Sequence, residues 1–164
     1  MYLKRDEERK KIWQQKSQYL CGFQSFAITY PDLFQKGAFQ MKNFVRLTDL
    51  QPEDIYEIFR IADEINSRKY KGFLSGKSVI LFFPATSIRT RVTFEKGIDL
   101  LGGHSILFPT DTLDKKESTR DVCGYLNNWA DLVIARHRDI HLLETLAQYS
   151  KVPVINAMTD SNHP

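Results

Sequence analysis

Four short apolar runs, rich in β-branched and aromatic residues, recur along this chain: Val79 to Phe83, Ser105 to Phe108, Leu132 to Ala135 and Val152 to Asn156. Each reads as a buried strand. Between them lie helical patterns. The first begins near Ser87, carries Ile88, Val92, Phe94, Ile98 and Leu101, and stops at Gly102-Gly103, where a left-handed cap is accessible. The second runs from about Ser118 with Val122, Tyr125, Leu126 and Trp129 on one face, and the third starts near Asp139 with Leu142, Leu143, Leu146 and Tyr149. A further amphipathic helix precedes the first strand. Pro52 opens it, Glu53 and Asp54 complement its positive end, and Ile55, Ile58, Phe59, Ala62 and Ile65 form its apolar stripe. Strands alternating with helices of this length predict right-handed βαβ crossovers. The expected fold class is α/β, with a parallel β-sheet of about four strands and helices on both faces.

Such a sheet constrains where a ligand can bind. In open parallel sheets the site lies outside the carboxyl ends of the strands, where the following helices point their N-termini. Four loops leave those ends: Pro84 to Arg91, Pro109 to Glu117, Arg136 to Asp139, and Ala157 to Pro164. Together they carry Ser87, Arg89, Thr90, Arg91, Lys115, Lys116, Arg136, His137, Arg138, Asp160, Asn162 and His163, a cationic crescent along one sheet edge.

Ser87-Ile88-Arg89-Thr90-Arg91 is the sharpest element of that crescent. Two guanidiniums and two hydroxyls sit where a strand turns into a helix, and a helix start offers unpaired N–H groups and the positive end of the helix dipole. Arginine adds a planar fork of donors matched to phosphate oxygens. The bland alternative is an ordinary helix start with Ser87 as N-cap and the arginines on a solvated face. Neither Gly-x-x-x-x-Gly-Lys-Ser/Thr nor Gly-x-Gly-x-x-Gly occurs, which disfavours mononucleotides and dinucleotides. Arg136, directly after a buried run, must reach solvent or a partner. His163 can donate to a ligand oxygen or cap a turn. His137 and His141 have i, i+4 spacing but no third ligand at a recognised spacing, so no metal is expected. Cys123 reads as a packed thiol.

Bulk properties narrow the partners. A formal charge of +3, from 23 basic and 20 acidic side chains, is too small an excess to imply nucleic acid. A small anionic ligand accounts for it equally well. No apolar stretch reaches the roughly 18 residues of a membrane span, and no signal-peptide pattern follows the charged first eleven residues. Two cysteines about a hundred residues apart indicate a reducing compartment, and a cytoplasmic location is expected. Residues 1–40 scatter aromatics among polar residues without a sustained period and read as an N-terminal extension; residues 41–164 form the domain.

Phe83-Pro84-Ala85-Thr86-Ser87-Ile88-Arg89-Thr90-Arg91-Val92-Thr93-Phe94-Glu95, with Leu101-Gly102-Gly103, Lys116-Glu117-Ser118, Ala135-Arg136 and Pro153-Val154-Ile155-Asn156 to His163-Pro164, resembles the aspartate and ornithine carbamoyltransferase family. Its anchor is the family's Ser-Thr-Arg-Thr-Arg motif, with Ile88 in place of the first Thr. The opening Met41-Lys42-Asn43-Phe44 and the stretch Asn156-Ala157-Met158-Thr159-Asp160 look more like the ornithine branch.

The resemblance implies a carbamoyl-phosphate-binding domain, with the amino-acid-binding domain of a two-domain enzyme expected beyond Pro164. It implies transfer of a carbamoyl group to an amine, ornithine favoured, with an aspartate or other-amine enzyme, or a non-catalytic anion-binding domain, as alternatives. Ser87, Ile88, Arg89 and Thr90 would hold the phosphate, Ile88 through its backbone N–H. Thr90, Arg136 and His163 would converge on the carbonyl oxygen. Lys116 would reach into the neighbouring subunit's site in a homotrimer. No cofactor is implied.

Overall fold

The computed structural model describes residues 43–66, 70–115 and 117–162. Its elements are α1 (Pro52–Asn66), β1 (Ser78–Phe83), α2 (Ile88–Leu100), β2 (His104–Pro109), α3 (Thr119–Leu126), β3 (Leu132–Ala135), α4 (Ile140–Tyr149) and β4 (Val154–Asn156). Short 3-10 turns cover Leu47–Asp49 and Thr110–Asp114. All strand pairings are parallel, in the order β2-β1-β3-β4.

The strands read as near-continuous apolar runs because both faces are covered. On one face Val79, Leu81, Phe83 and Ile134 pack with Ile61 of α1 and with Phe94 and Ile98 of α2. On the other, Ile80, Phe82 and Val133 pack with Cys123 and Leu126 of α3 and with Leu143 and Leu146 of α4. Side chains alternate across a strand, so each run must supply both cores. The free edge of β4 is covered by residues 43–45: Phe44 bridges Ile155, and Asn43 accepts from Val154 N–H and donates to Ala147 O.

The expected architecture is present, with boundary shifts that have local causes. β4 begins at Val154 because Pro153 has no N–H and Val152 is held by the Ser150 hydroxyl, to which its amide donates. α2 ends as anticipated. Gly102 takes φ +82°, its amide bonds Asp99 O at 2.9 Å, and the Gly103 amide bonds Ile98 O at 2.9 Å, a Schellman pair.

Four apolar stripes are corrected. In α3 the buried residues are Cys123 and Leu126, whereas Tyr125 is 66% and Trp129 65% exposed; the helix stops at Leu126, so Trp129 leaves its face. In α2 the inward residues are Phe94 and Ile98, while Ile88 and Val92 face solvent. In α4, Ile140 joins Leu143 and Leu146, and Tyr149 lies outside the core. α1 buries Ile61 completely, a residue absent from the expected stripe. Among the described residues no helix is long and apolar enough to cross a membrane. The expected extension at residues 1–40 lies outside the described residues.

Candidate functional site

The strand order places a switch point in the sheet. From β1 the chain crosses through α2 to β2 on one side, then returns through α3 to β3 on the other side of β1. Loops after β1 and β3 therefore diverge over the sheet's carboxyl edge and leave a crevice between them. A cleft of about 570 Å³ occupies that position, lined from all four loops by residues that include Thr86, Thr110, Arg136, Arg138 and Asp160.

Ser87 and Arg136, far apart in sequence, meet at this crevice. Arg136 Nη1 donates to Ser87 Oγ at 2.7 Å, and the serine is only 6% exposed. Ser87 makes no side-chain cap bond to the helix start, so the N-cap alternative fails. Its backbone, at φ −84° and ψ 57°, forms an inverse γ-turn in which the Ile88 amide bonds Thr86 O at 3.0 Å. The Ser87 amide bonds Pro84 O at 2.9 Å, and the Arg91 amide bonds Ser87 O at 3.0 Å. These bonds leave the first-turn amides of Arg89 and Thr90 without intrahelical partners. The Ile88 amide, expected to meet phosphate, is instead engaged in the γ-turn.

The remaining cations divide by role. Arg91 Nε pairs with Glu95 Oε1 at 3.0 Å along the helix, so its guanidinium already has a carboxylate partner. Arg89 is exposed at the helix start and Thr90 is half-buried beside it. His163 and Lys116, both expected at the site, lie outside the described residues.

The loop after β3 is the hub that fixes these groups. Thr110 Oγ1 donates to Arg136 O at 2.8 Å, and the Arg136 amide donates to Phe82 O at 2.9 Å. The His137 amide reaches Met158 O at 3.2 Å, and the Asp160 amide reaches Arg138 O at 3.1 Å. His137 Nε2 faces Asp114 Oδ1 at 3.0 Å, while His141 pairs with Glu144; the two imidazoles thus serve different carboxylates. Among the described residues no cluster of three or more His, Cys, Asp or Glu side chains is arranged to hold a metal ion. Thr110 and Asp114 carry no signal in the sequence, because their roles depend on contacts between loops that no local pattern records.

The loop after β4 is organised by Asn156, 3% exposed. Its Oδ1 accepts from the Met158 amide at 2.8 Å and its Nδ2 donates to Val45 O at 2.9 Å. Met158 takes φ +134°, in the region that favours glycine. Thr159 and Asn162 close the loop on each other, the Asn162 amide donating to Thr159 Oγ1 at 2.9 Å and the Thr159 amide to Asn162 O at 2.7 Å. Away from the cleft, burial pushes the Cys123 thiol up, in keeping with a packed residue.

Residues 42–164 match the family model described as the carbamoyl-P binding domain of aspartate/ornithine carbamoyltransferase. The chain belongs to the aspartate/ornithine carbamoyltransferase family. An ornithine carbamoyltransferase of Shewanella oneidensis is 38% identical over 128 residues, covering 76% of this chain and 42% of the relative. The crystal structure of ornithine carbamoyltransferase from Thermus thermophilus superposes with a TM-score of 0.67 at 28% identity, over 74% of this chain and 43% of that one. A crystal structure of N-acetyl-L-ornithine transcarbamylase is also similar, with a TM-score of 0.64 at 27% identity, over 73% of this chain and 42% of the other. The chain therefore spans about two fifths of the length of such carbamoyltransferases, across the carbamoyl-phosphate-binding domain. Of the residues expected to bind within that domain, Arg136 lines the cleft and Ser87 is bonded to it, whereas Arg89 and Thr90 lie on the adjoining helix start and are not among the lining residues.

Proposed function

We propose that this chain is the carbamoyl-phosphate-binding part of a carbamoyltransferase acting on an amine, ornithine favoured, to give citrulline and phosphate. The observation that carries this reading is the Arg136–Ser87 contact at the switch point of a domain with the family's motif. Ser87, Arg89, Thr90 and the first-turn amides hold the phosphate; the Ile88 amide joins them if the γ-turn opens. Charge-assisted bonds of this kind contribute roughly 1.5–3 kcal/mol each.

In the reaction a neutral amine attacks the carbonyl carbon of carbamoyl phosphate. The C–N bond forms, the tetrahedral intermediate expels phosphate by breaking the C–O bond, and the proton lost by the nitrogen leaves with the phosphate. No covalent enzyme species is needed. Arg136, Thr90 and His163 receive the developing oxyanion, where loss of one donor typically costs about 2.7–4 kcal/mol of barrier. Lys116 reaches a neighbouring subunit's site in a homotrimer. The protein works in the cytoplasm, in arginine metabolism, and needs no cofactor.

Carbamoyl phosphate is expected to raise the melting temperature of the chain, and Arg89→Ala to abolish that rise. A rise unaffected by Arg89→Ala would sink the site assignment. The likeness to an N-acetylornithine enzyme keeps a second acceptor in view, because this domain is shared while the acceptor differs. Assay of the protein encoded by the full reading frame with ornithine, N-acetylornithine and aspartate separates these. Binding without consumption of carbamoyl phosphate by any amine would identify a non-catalytic anion-binding protein.

A further inference from the structure

His137 and Asp114 make a contact that the proposed chemistry leaves unused. The imidazole is buried, at 4% exposure, and the Asp139 amide donates to its Nδ1 at 3.0 Å. Nδ1 also lies 3.3 Å from Asp139 O, and on the other side of the ring Nε2 faces Asp114 Oδ1 at 3.0 Å, where a carboxylate can only accept and Nε2 is therefore the donor. Asp114 ends the 3-10 turn after β2, with its side chain 44% exposed, and lines the same cleft as Arg136 and Arg138.

The charges of that cleft conflict with its proposed ligand. A phosphate-type anion has to reach guanidiniums, yet the carboxylates of Asp111, Asp114 and Asp160 line the same space. A carboxylate that swings onto an arginine forms the same forked pair that a phosphate forms, and so competes with it. Among the described residues, however, Arg136 gives its Nη1 to the Ser87 hydroxyl and pairs with no carboxylate. We infer that His137 is a positioning residue that holds the Asp114 carboxylate off the cleft's arginines and so keeps them available to the anion. Because the ring is locked from behind by the Asp139 amide, it cannot follow Asp114 if that side chain turns. The inference rests on the reading of the cleft as an anion site.

Calorimetric titration of carbamoyl phosphate, with inorganic phosphate in parallel, tests it on wild type, His137→Asn, Asp114→Asn and the double variant. His137→Asn keeps an acceptor for the Asp139 amide but loses the donor that reaches Asp114. It is expected to bind roughly threefold to fivefold more weakly, the value of a partly exposed ion pair set free to compete. Asp114→Asn should bind at least as tightly as wild type, and the double variant should recover that affinity. A double variant as weak as His137→Asn, or an Asp114→Asn that itself loses affinity, overturns the inference. If the buried substitution prevents folding, Asp114→Glu carries the same test at an exposed position. Its longer side chain takes the carboxylate past Nε2 and should bind more weakly than Asp114→Asn, and equal affinities overturn the inference. If wild type binds neither anion, the reading of the cleft falls and takes this inference with it. If wild type binds but the rescue is missing, the reading stands and the inference falls.

Discussion

Ser87 shows how one side chain can be recruited away from its local role. Ser at a strand-to-helix junction predicts an N-cap, but a cap bond needs the hydroxyl turned back to the first-turn amides, and here the hydroxyl accepts from Arg136. Ser87→Ala should therefore cost little helix stability and chiefly loosen Arg136. Carbamoyl phosphate affinity is expected to fall about tenfold or more, the value of one charge-assisted bond. Titration calorimetry checks this, and unchanged affinity would show that Arg136 is positioned without the serine. Met158 is the converse case, a residue held against its own preference. Backbone in its region costs roughly 1–3 kcal/mol for a non-glycine side chain, and glycine gives back about 0.5–1 kcal/mol through the freer unfolded chain. Met158→Gly is thus expected to leave stability unchanged or raise it by about 1 kcal/mol. A fall in melting temperature would mean that the thioether packing outweighs the strain.

The helices and strands were readable from the sequence because their signals are local and repeat. Continuous apolar runs, a proline at the start of α1 and the Gly102-Gly103 stop each act within a few residues. Gly102→Ala tests the last of these. At φ +82° an added Cβ is disfavoured by about 1–2 kcal/mol, and it would meet Gly72 Cα at 3.0 Å. A loss of at least that size is expected in urea unfolding. Helix faces were less readable: Tyr125 and Val92 are apolar by type but sit where no neighbouring element covers them. The γ-turn at Thr86-Ser87-Ile88 was not readable at all, since Arg136 arrives from another loop. α4 adds a pH-dependent tie to the chain's described start. Arg46, and after it His141, holds the Glu144 carboxyl below the usual carboxylate range, with Arg46 Nη2 at 2.7 Å. A depressed folded-state value means that this stabilisation is complete above the unfolded carboxylate range and is lost as pH falls through the folded one. The melting-temperature difference between wild type and Glu144→Gln should be present at neutral pH and close on acidification. A difference that persists in acid would rule out the charge as its source.

The molecule as a whole presents a cleft lined by Arg136 and Arg138, proposed as an anion cradle, at the switch point of a four-stranded parallel sheet, in a chain that spans about two fifths of the Shewanella relative. Gripping carbamoyl phosphate and transferring its carbamoyl group make different demands. The grip needs donors gathered on one sheet edge, the role proposed for Ser87, Arg89, Thr90 and Arg136. Transfer also needs the amine held in line with the carbonyl carbon, and such orientation accounts for roughly 7–11 kcal/mol of a barrier. Among the described residues of the four loops, none is proposed for that second substrate. This chain, expressed as given, is therefore expected to bind carbamoyl phosphate and to be stabilised by about 2.7 kcal/mol at a hundredfold excess over its dissociation constant. Ornithine added with it should give no further stabilisation and no citrulline above the uncatalysed rate. Thermal unfolding with and without both substrates, run beside a citrulline assay, measures the two demands separately. Citrulline formation by this chain alone would show that orientation of the amine is built into the same sheet edge.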